Sequence, residues 1–301
     1  MNRSFRILTL LIIVSFLAAC TNLGAGGKQV TIGGKNFTEQ YLLSQMTVFM
    51  LRERGFDVDE MNNLGSTVVR KALVNKQIDL MWEYTGTALV TYMGKEPIAD
   101  PGKAFEKVKE LDEKRGIKWM NMSEVNNTYC FVMDKKEAKK YGIRSISDLA
   151  AYVRKHPGEL KMATDAEFAN RPDGLKGVEK RYDFNFGAEQ VKQLETGLTY
   201  TALASGEVDV AMGFSTDAAI EKYDLLILKD DKHFFPPYYA AVSIHEDVYQ
   251  KYPEVEEVTQ KLADRLDSAT MRKLNYRVDV EGKSVSVVAH DWLVKNGLIE
   301  K

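Results

Sequence analysis

The side chains of this sequence that could do chemistry sit in short loops, not in a catalytic pattern. Its four histidines, His156, His233, His245 and His290, stand apart from any recognisable nucleophile motif. Serine and cysteine nucleophiles need an adjacent base. Neither Gly-x-Ser-x-Gly, His-Glu-x-x-His nor a phosphate loop occurs, so a surface-anchored hydrolase is a remote alternative. There are two cysteines, Cys20 and Cys130, too few for a disulfide scaffold or a structural zinc site. Cys130 falls in an apolar run, where a small buried hydrophobe is expected. What recurs instead is aromatic rings beside small polar groups. They occur in Gly33-Gly34-Lys35-Asn36-Phe37-Thr38, Glu83-Tyr84-Thr85-Gly86-Thr87, Asn126-Asn127-Thr128-Tyr129, Gly213-Phe214-Ser215-Thr216-Asp217 and Phe234-Phe235-Pro236-Pro237-Tyr238-Tyr239. Rings serving only a core would lie mid-element. A purely structural or adhesive protein would leave this clustering unexplained.

The elements that must position these loops are short apolar strands alternating with amphipathic helices. Strands are expected at Val30–Ile32, Ile78–Trp82, Tyr129–Met133, Lys161–Ala163, Val208–Met212 and Leu225–Leu228. Helices are expected from Glu39 to about Arg54 with Thr38 as N-cap, from Gly65 to about Lys76 and over Lys103–Arg115. Further helices are expected from a Ser147 cap to about Lys155, over Gly174–Tyr182 and over Thr199–Ser205. After Pro236-Pro237 the chain reads as mostly helical. No internal repeat is visible. Such alternation implies an α/β fold, and open α/β sheets place ligands in the loops that follow their strands.

Composition is that of a globular protein: 301 residues, 45% apolar and 28% charged, with a formal charge of -2. No basic block lies beyond the first six residues, so nucleic acid is a poor partner. Arg3 and Arg6 precede an apolar run from Ile7 to Ala19, shorter than the roughly 20 residues a membrane span needs. This reads as a signal peptide over residues 1–19. Its end, Leu17-Ala18-Ala19-Cys20, resembles a bacterial lipobox, which implies cleavage before Cys20 and a diacylglycerol on its thiol. Residues 20–28 read as a flexible lipidated tether. The expectation is a body exported and held at a membrane surface, at the outer face of the plasma membrane or in the periplasm of a Gram-negative cell.

The loop segments, with Asp230-Asp231-Lys232 and Leu274-Asn275-Tyr276, resemble in content and order the substrate-binding lipoproteins of osmoprotectant ABC importers. That family binds glycine betaine, choline, carnitine and related quaternary amines. The resemblance spans Val30 to about Lys295. It implies a two-lobed Venus-flytrap fold of the type II periplasmic-binding-protein class, with a ligand cleft between lobes. Residues 29–125 plus 236–301 would form one lobe and 126–235 the other. A quaternary ammonium offers no N–H, so its natural host is a box of aromatic faces. The matching cage positions are Tyr84, Tyr129, Phe214 and Tyr238, with phenylalanine at 214 where the family usually has tyrosine; Tyr239 is a spare neighbour. For a betaine carboxylate the matches are Lys35, Thr87 and Arg171, while Asn127 offers an amide or carbonyl near the cation. The resemblance further implies a monomer without cofactor or metal that delivers its solute to an ABC permease and ATPase complex. An alternative is a same-fold binder of another amino-acid-like zwitterion.

Overall fold

The computed structural model of the protein describes residues 27–171, 174–195 and 197–300. The expected signal peptide, Cys20 and most of the tether lie outside the described residues. Ten strands are present among those residues: β1 (Lys28–Lys35), β2 (Phe56–Leu64), β3 (Leu80–Tyr84), β4 (Ile117–Met120), β5 (Tyr129–Asp134), β6 (Met162–Thr164), β7 (Val191–Gln193), β8 (Val210–Phe214), β9 (Leu225–Ile227) and β10 (Ala240–His245). They form two five-stranded sheets, ordered β2-β1-β3-β10-β4 and β7-β6-β8-β5-β9. In both, three parallel strands are followed by one antiparallel strand and then an edge strand. The α/β two-lobed class expected from the sequence is the one observed. One pattern is built twice, although the sequence shows no repeat.

Helices cover both sheets, so the central strands are buried along their whole length. All five residues of β3 and all six of β10 are buried. The helix Thr38–Glu53 buries Leu42, Leu43, Met46 and Leu51 completely against the first sheet. The edge strand β2 alternates only weakly and keeps most of its polar side chains in water.

Two segments join the lobes, and they run side by side. Asn126 bridges antiparallel to Tyr239. The Asn127 N–H donates to the Tyr238 carbonyl at 3.0 Å, and the Ala240 N–H to the Val125 carbonyl at 2.8 Å. The Asn126 side chain accepts the Tyr238 N–H at 2.8 Å. Ser215 Oγ donates to the Asn126 carbonyl at 2.7 Å, tying this pair to the end of β8.

Four local expectations are corrected. The region after Pro237 is not mostly helical at its start, because β10 forms there and becomes the fourth strand of the first sheet. Ser147 is not a cap: Ser145 caps the helix Ile146–Lys155 through a capping box with Asp148. Thr38 is the first residue of its helix, not the cap, and its hydroxyl donates to Asp279 at 2.6 Å. Strands β2, β4 and β7 were not expected at all. All three lie at sheet edges, where a polar face weakens the apolar signal.

Candidate ligand-binding site

The aromatic positions gather at one edge of each sheet, for a topological reason. Tyr84 ends β3, whose antiparallel neighbour β10 begins at Ala240, paired with Tyr84. Phe214 ends β8, whose antiparallel neighbour β5 begins at Tyr129, paired with Phe214. Each antiparallel strand therefore starts where a parallel strand stops. Both edges meet at the paired crossing segments, which carry Asn127 and Tyr238.

Three of the four expected rings form one cluster. The Tyr129 centroid lies 4.8 Å from Phe214, and 5.7 Å from Tyr238 in an edge-on arrangement. Phe168 at 4.9 Å and Phe235 at 6.3 Å complete its surroundings. Tyr129 and Tyr238 are buried, while Phe214 is half-buried. Gly86 lets the β3 turn meet this cluster, because a Cβ there would lie 2.8 Å from both the Pro237 carbonyl and the Tyr238 ring. Gly213 is required too: its Cβ would lie 1.9 Å from the Tyr200 hydroxyl. That hydroxyl donates to Asp217 at 2.6 Å, and Asp217 accepts the Phe214 N–H at 3.1 Å. Burial pushes the Asp217 carboxyl up to about 6.

Arg171 reaches into the cluster from the second lobe. Asp165 caps the short helix Ala166–Asn170 by accepting the Phe168 N–H at 2.7 Å. Phe168 on this helix and Arg171 just past its end both reach the Tyr129 ring. The guanidinium carbon lies 5.4 Å from the Tyr129 ring centroid. Nη2 donates to the Tyr238 hydroxyl at 3.0 Å. Nη1 donates to Glu167 at 2.8 Å and to Thr91 Oγ1 of the first lobe at 3.4 Å. Arg171 thus touches both lobes and a crossing segment.

Tyr84 stands apart, in a polar frame. It stacks on Phe37 with centroids 6.2 Å apart. Its hydroxyl donates to Glu39 Oε1 at 2.6 Å and accepts from Gln40 Nε2 at 3.1 Å. Burial first, and the Glu39 charge second, hold the phenol well above its usual pKa. Asn127 Nδ2 donates to the same Glu39 oxygen at 3.1 Å, which links Tyr84 to the crossing segment.

Lys35 lies in a buried charge pair. Its ammonium lies 4.8 Å from the Tyr84 ring centroid, yet it is bonded to Glu83, and the two side chains are 2% and 0% exposed. Glu83 also accepts the Tyr84 N–H at 2.7 Å and the Tyr92 hydroxyl at 3.0 Å. The positive charge of Lys35 is therefore matched by Glu83 inside the first lobe. Thr87 is half-buried in the single helical turn Thr85–Thr87 that follows β3. Sequence reasoning did not assign Glu39, Phe168, Phe235 or Thr91. Phe235 sat inside a segment already singled out and Glu39 opened an expected helix, but nothing in their spacing separated a site residue from a core one. Among the described residues no group of histidine, cysteine or acidic side chains is placed to hold a metal, and no helix is long and apolar enough to cross a membrane.

Comparison with known proteins gives a consistent answer. The family described as the substrate binding domain of ABC-type glycine betaine transport systems matches residues 28–295. The glycine-betaine-binding protein of Pseudomonas aeruginosa is 38% identical over 298 residues, 96% of each chain. The carnitine transport binding protein OpuCC of Listeria monocytogenes is 37% identical over 293 residues, covering 95% of this chain and 93% of that one. A crystal structure described as a glycine betaine/carnitine/choline ABC transporter superposes with a TM-score of 0.80 at 34% identity, over 89% of this chain and 99% of the other.

Proposed function

We propose, for a chain that belongs to the family of substrate-binding domains of ABC-type glycine betaine transport systems, that it captures a quaternary ammonium solute outside the cytoplasm. Glycine betaine or proline betaine is the first choice; carnitine and choline are within its chemistry. The observation that carries this reading is the ring cluster of Tyr129, Phe214 and Tyr238 with Arg171 against it, drawn from the second lobe and a crossing segment. A methylated cation gains roughly 0.5–2 kcal/mol from each ring face, and Tyr84 adds a fourth face from the first lobe. A betaine also needs a cation for its carboxylate. With Lys35 matched by the buried Glu83, that task falls to Arg171, whose own partner Glu167 stands exposed to water, with Thr87 and Asn127 as neutral partners. Lobe boundaries at 29–125 plus 236–301 and at 126–235 let the paired crossing segments act as the hinge.

The captured solute is handed to a membrane permease with its ATPase, supporting uptake under osmotic stress. The protein works as a monomer without catalysis. Its Cys20 carries the lipid anchor after removal of residues 1–19. The names of the relatives that bind glycine betaine and carnitine support this assignment. The test is a thermal-shift series with glycine betaine, proline betaine, carnitine, choline and ergothioneine, since a ligand that binds only the folded state raises the melting temperature. A rise with at least one of these is expected. No shift with any of them at millimolar concentration would overturn the reading.

A further inference from the structure

Glu39 is a buried charge that the fold and the reading above leave without a task. It is 2% exposed. Its Oε1 accepts from Tyr84 and Asn127, while Oε2 makes no hydrogen bond of ordinary geometry. Other buried or partly buried charges nearby have partners: Lys35 with Glu83, Arg70 with Asp112, Arg171 with Glu167. The groups that face Glu39 are Tyr84 from β3, Asn127 from the crossing segment, Thr216 from the loop after β8 and Asn275 from the helix Ser268–Asp279. None is a cation. Asp217 lies near enough to feel the Glu39 charge, and it feels that of Asp279 as well. Arg272, on the helix of Asn275, lies 3.6 Å from Glu221. Burial pushes the Glu39 carboxyl up, and the four facing groups only partly oppose this.

Building on the quaternary-amine reading, we propose that Glu39 is the counter-charge for the ligand's permanent cation, and that a proton fills that role in the empty protein. A buried carboxylate without a cation is costly. A trimethylammonium group cannot relieve it by hydrogen bonding, because it has no N–H. It can act through the Tyr84 ring, whose hydroxyl is held by that carboxylate 2.6 Å away. A carboxylate behind the phenol enriches the ring and strengthens its hold on a cation. Binding then exchanges one positive charge for another. The neutral acid of Glu39 loses its O–H proton to the buffer, and the carboxylate remains opposite the ligand's nitrogen. Affinity should therefore rise with pH through the range in which Glu39 titrates, with proton release greatest at the acid end.

The test is calorimetric titration of the whole mature protein with choline in buffers of differing ionisation enthalpy, between about pH 5 and pH 8. The same titrations are made with its uncharged isostere 3,3-dimethylbutan-1-ol, with wild type, Glu39→Gln and Asp217→Asn. Wild type should release protons on binding choline and none on binding the isostere. Glu39→Gln keeps an acceptor for the Tyr84 hydroxyl. It should abolish the release and weaken choline at least about tenfold, while leaving the isostere within about twofold. Asp217→Asn should retain the release. The proposal is overturned if wild type binds choline with no proton release, if the release disappears in Asp217→Asn but persists in Glu39→Gln, or if Glu39→Gln weakens the isostere as much as choline. Were none of the five solutes bound by wild type at all, the functional reading would fail, a result distinct from binding without proton release.

Discussion

The two halves of the cleft are built on the same strand pattern but held by opposite physics. The Tyr84 half is a frame of buried charge: Lys35 on Glu83, the Tyr84 hydroxyl on Glu39, Gln40 and Asn127 around them. The Tyr129 half is a stack of rings, with Phe168, Phe214, Phe235 and Tyr238 within 6.3 Å of one centroid and Arg171 on its face. Charges fix direction and punish any loss of a partner. Ring contacts are soft and tolerate displacement. The difference suggests that the first lobe offers a fixed wall, while the second lobe and the crossing segments adapt as the cleft closes.

The largest break in this contrast is expected at the ion pair. Lys35→Met leaves Glu83 buried without its cation, which costs roughly 3–5 kcal/mol of stability. The double variant Lys35→Met with Glu83→Met should recover most of that loss. Urea midpoints of the three proteins check this. If the single variant is as stable as wild type, the buried charge frame is not what holds Tyr84.

Next in size is the ring side. Tyr129→Ala should weaken glycine betaine by roughly 2–3 kcal/mol, because it removes the ring on which the others converge. Tyr129→Phe should cost less than 1 kcal/mol, or about fivefold in Kd. Tyr84→Phe should cost more than Tyr129→Phe, since it removes the donor to a buried carboxylate. Equal losses in the two Phe variants would erase the contrast between the halves.

Selectivity should follow Arg171. Arg171→Met should weaken glycine betaine by roughly 1.5–3 kcal/mol, the worth of a hydrogen bond to a charged group, and leave choline nearly unchanged or slightly tighter. Paired titrations of both ligands decide it. Equal loss of both would return the guanidinium to a packing role.

The last effect concerns pH and acts on stability, not on affinity. The Asp217 carboxyl sits at about 6, above its ordinary 3.8. A raised folded-state value means the native protein holds this proton more tightly than the unfolded chain does. That contribution is complete below about pH 4 and lost as pH rises through about 6, at most about 3 kcal/mol. Asp217→Asn should flatten this part of the stability-pH curve, measured by thermal unfolding at a series of pH values. An unchanged slope would place the titration elsewhere.

Much of this was legible in the sequence, and the gaps have physical reasons. Tyr84 and Phe214 end strands with small polar residues after them, and Tyr129 begins a strand with small polar residues before it. The fold class followed from the alternation. Strand β10 was missed because Ala240-Ala241-Val242-Ser243-Ile244-His245 follows two prolines and carries no aromatic residue; it is a strand by virtue of its neighbours β3 and β4. The matching of Lys35 by Glu83 joins positions 48 apart in the chain, which only the sheet brings together. Glu39 looked like an ordinary acidic residue in a first helical turn, where carboxylates are common; its burial comes from the second lobe and the crossing segment.

The central claim is that this cleft reads a methylated ammonium through ring faces. Calorimetric titration of the wild-type protein with glycine betaine and with glycine tests it most directly. The two share a carboxylate and a positive charge, and differ only in three N-methyl groups against three N–H bonds. Several ring faces each contributing roughly 0.5–2 kcal/mol predict that glycine betaine binds at least about a hundredfold tighter. Equal affinity for both, or preference for glycine, would contradict the account.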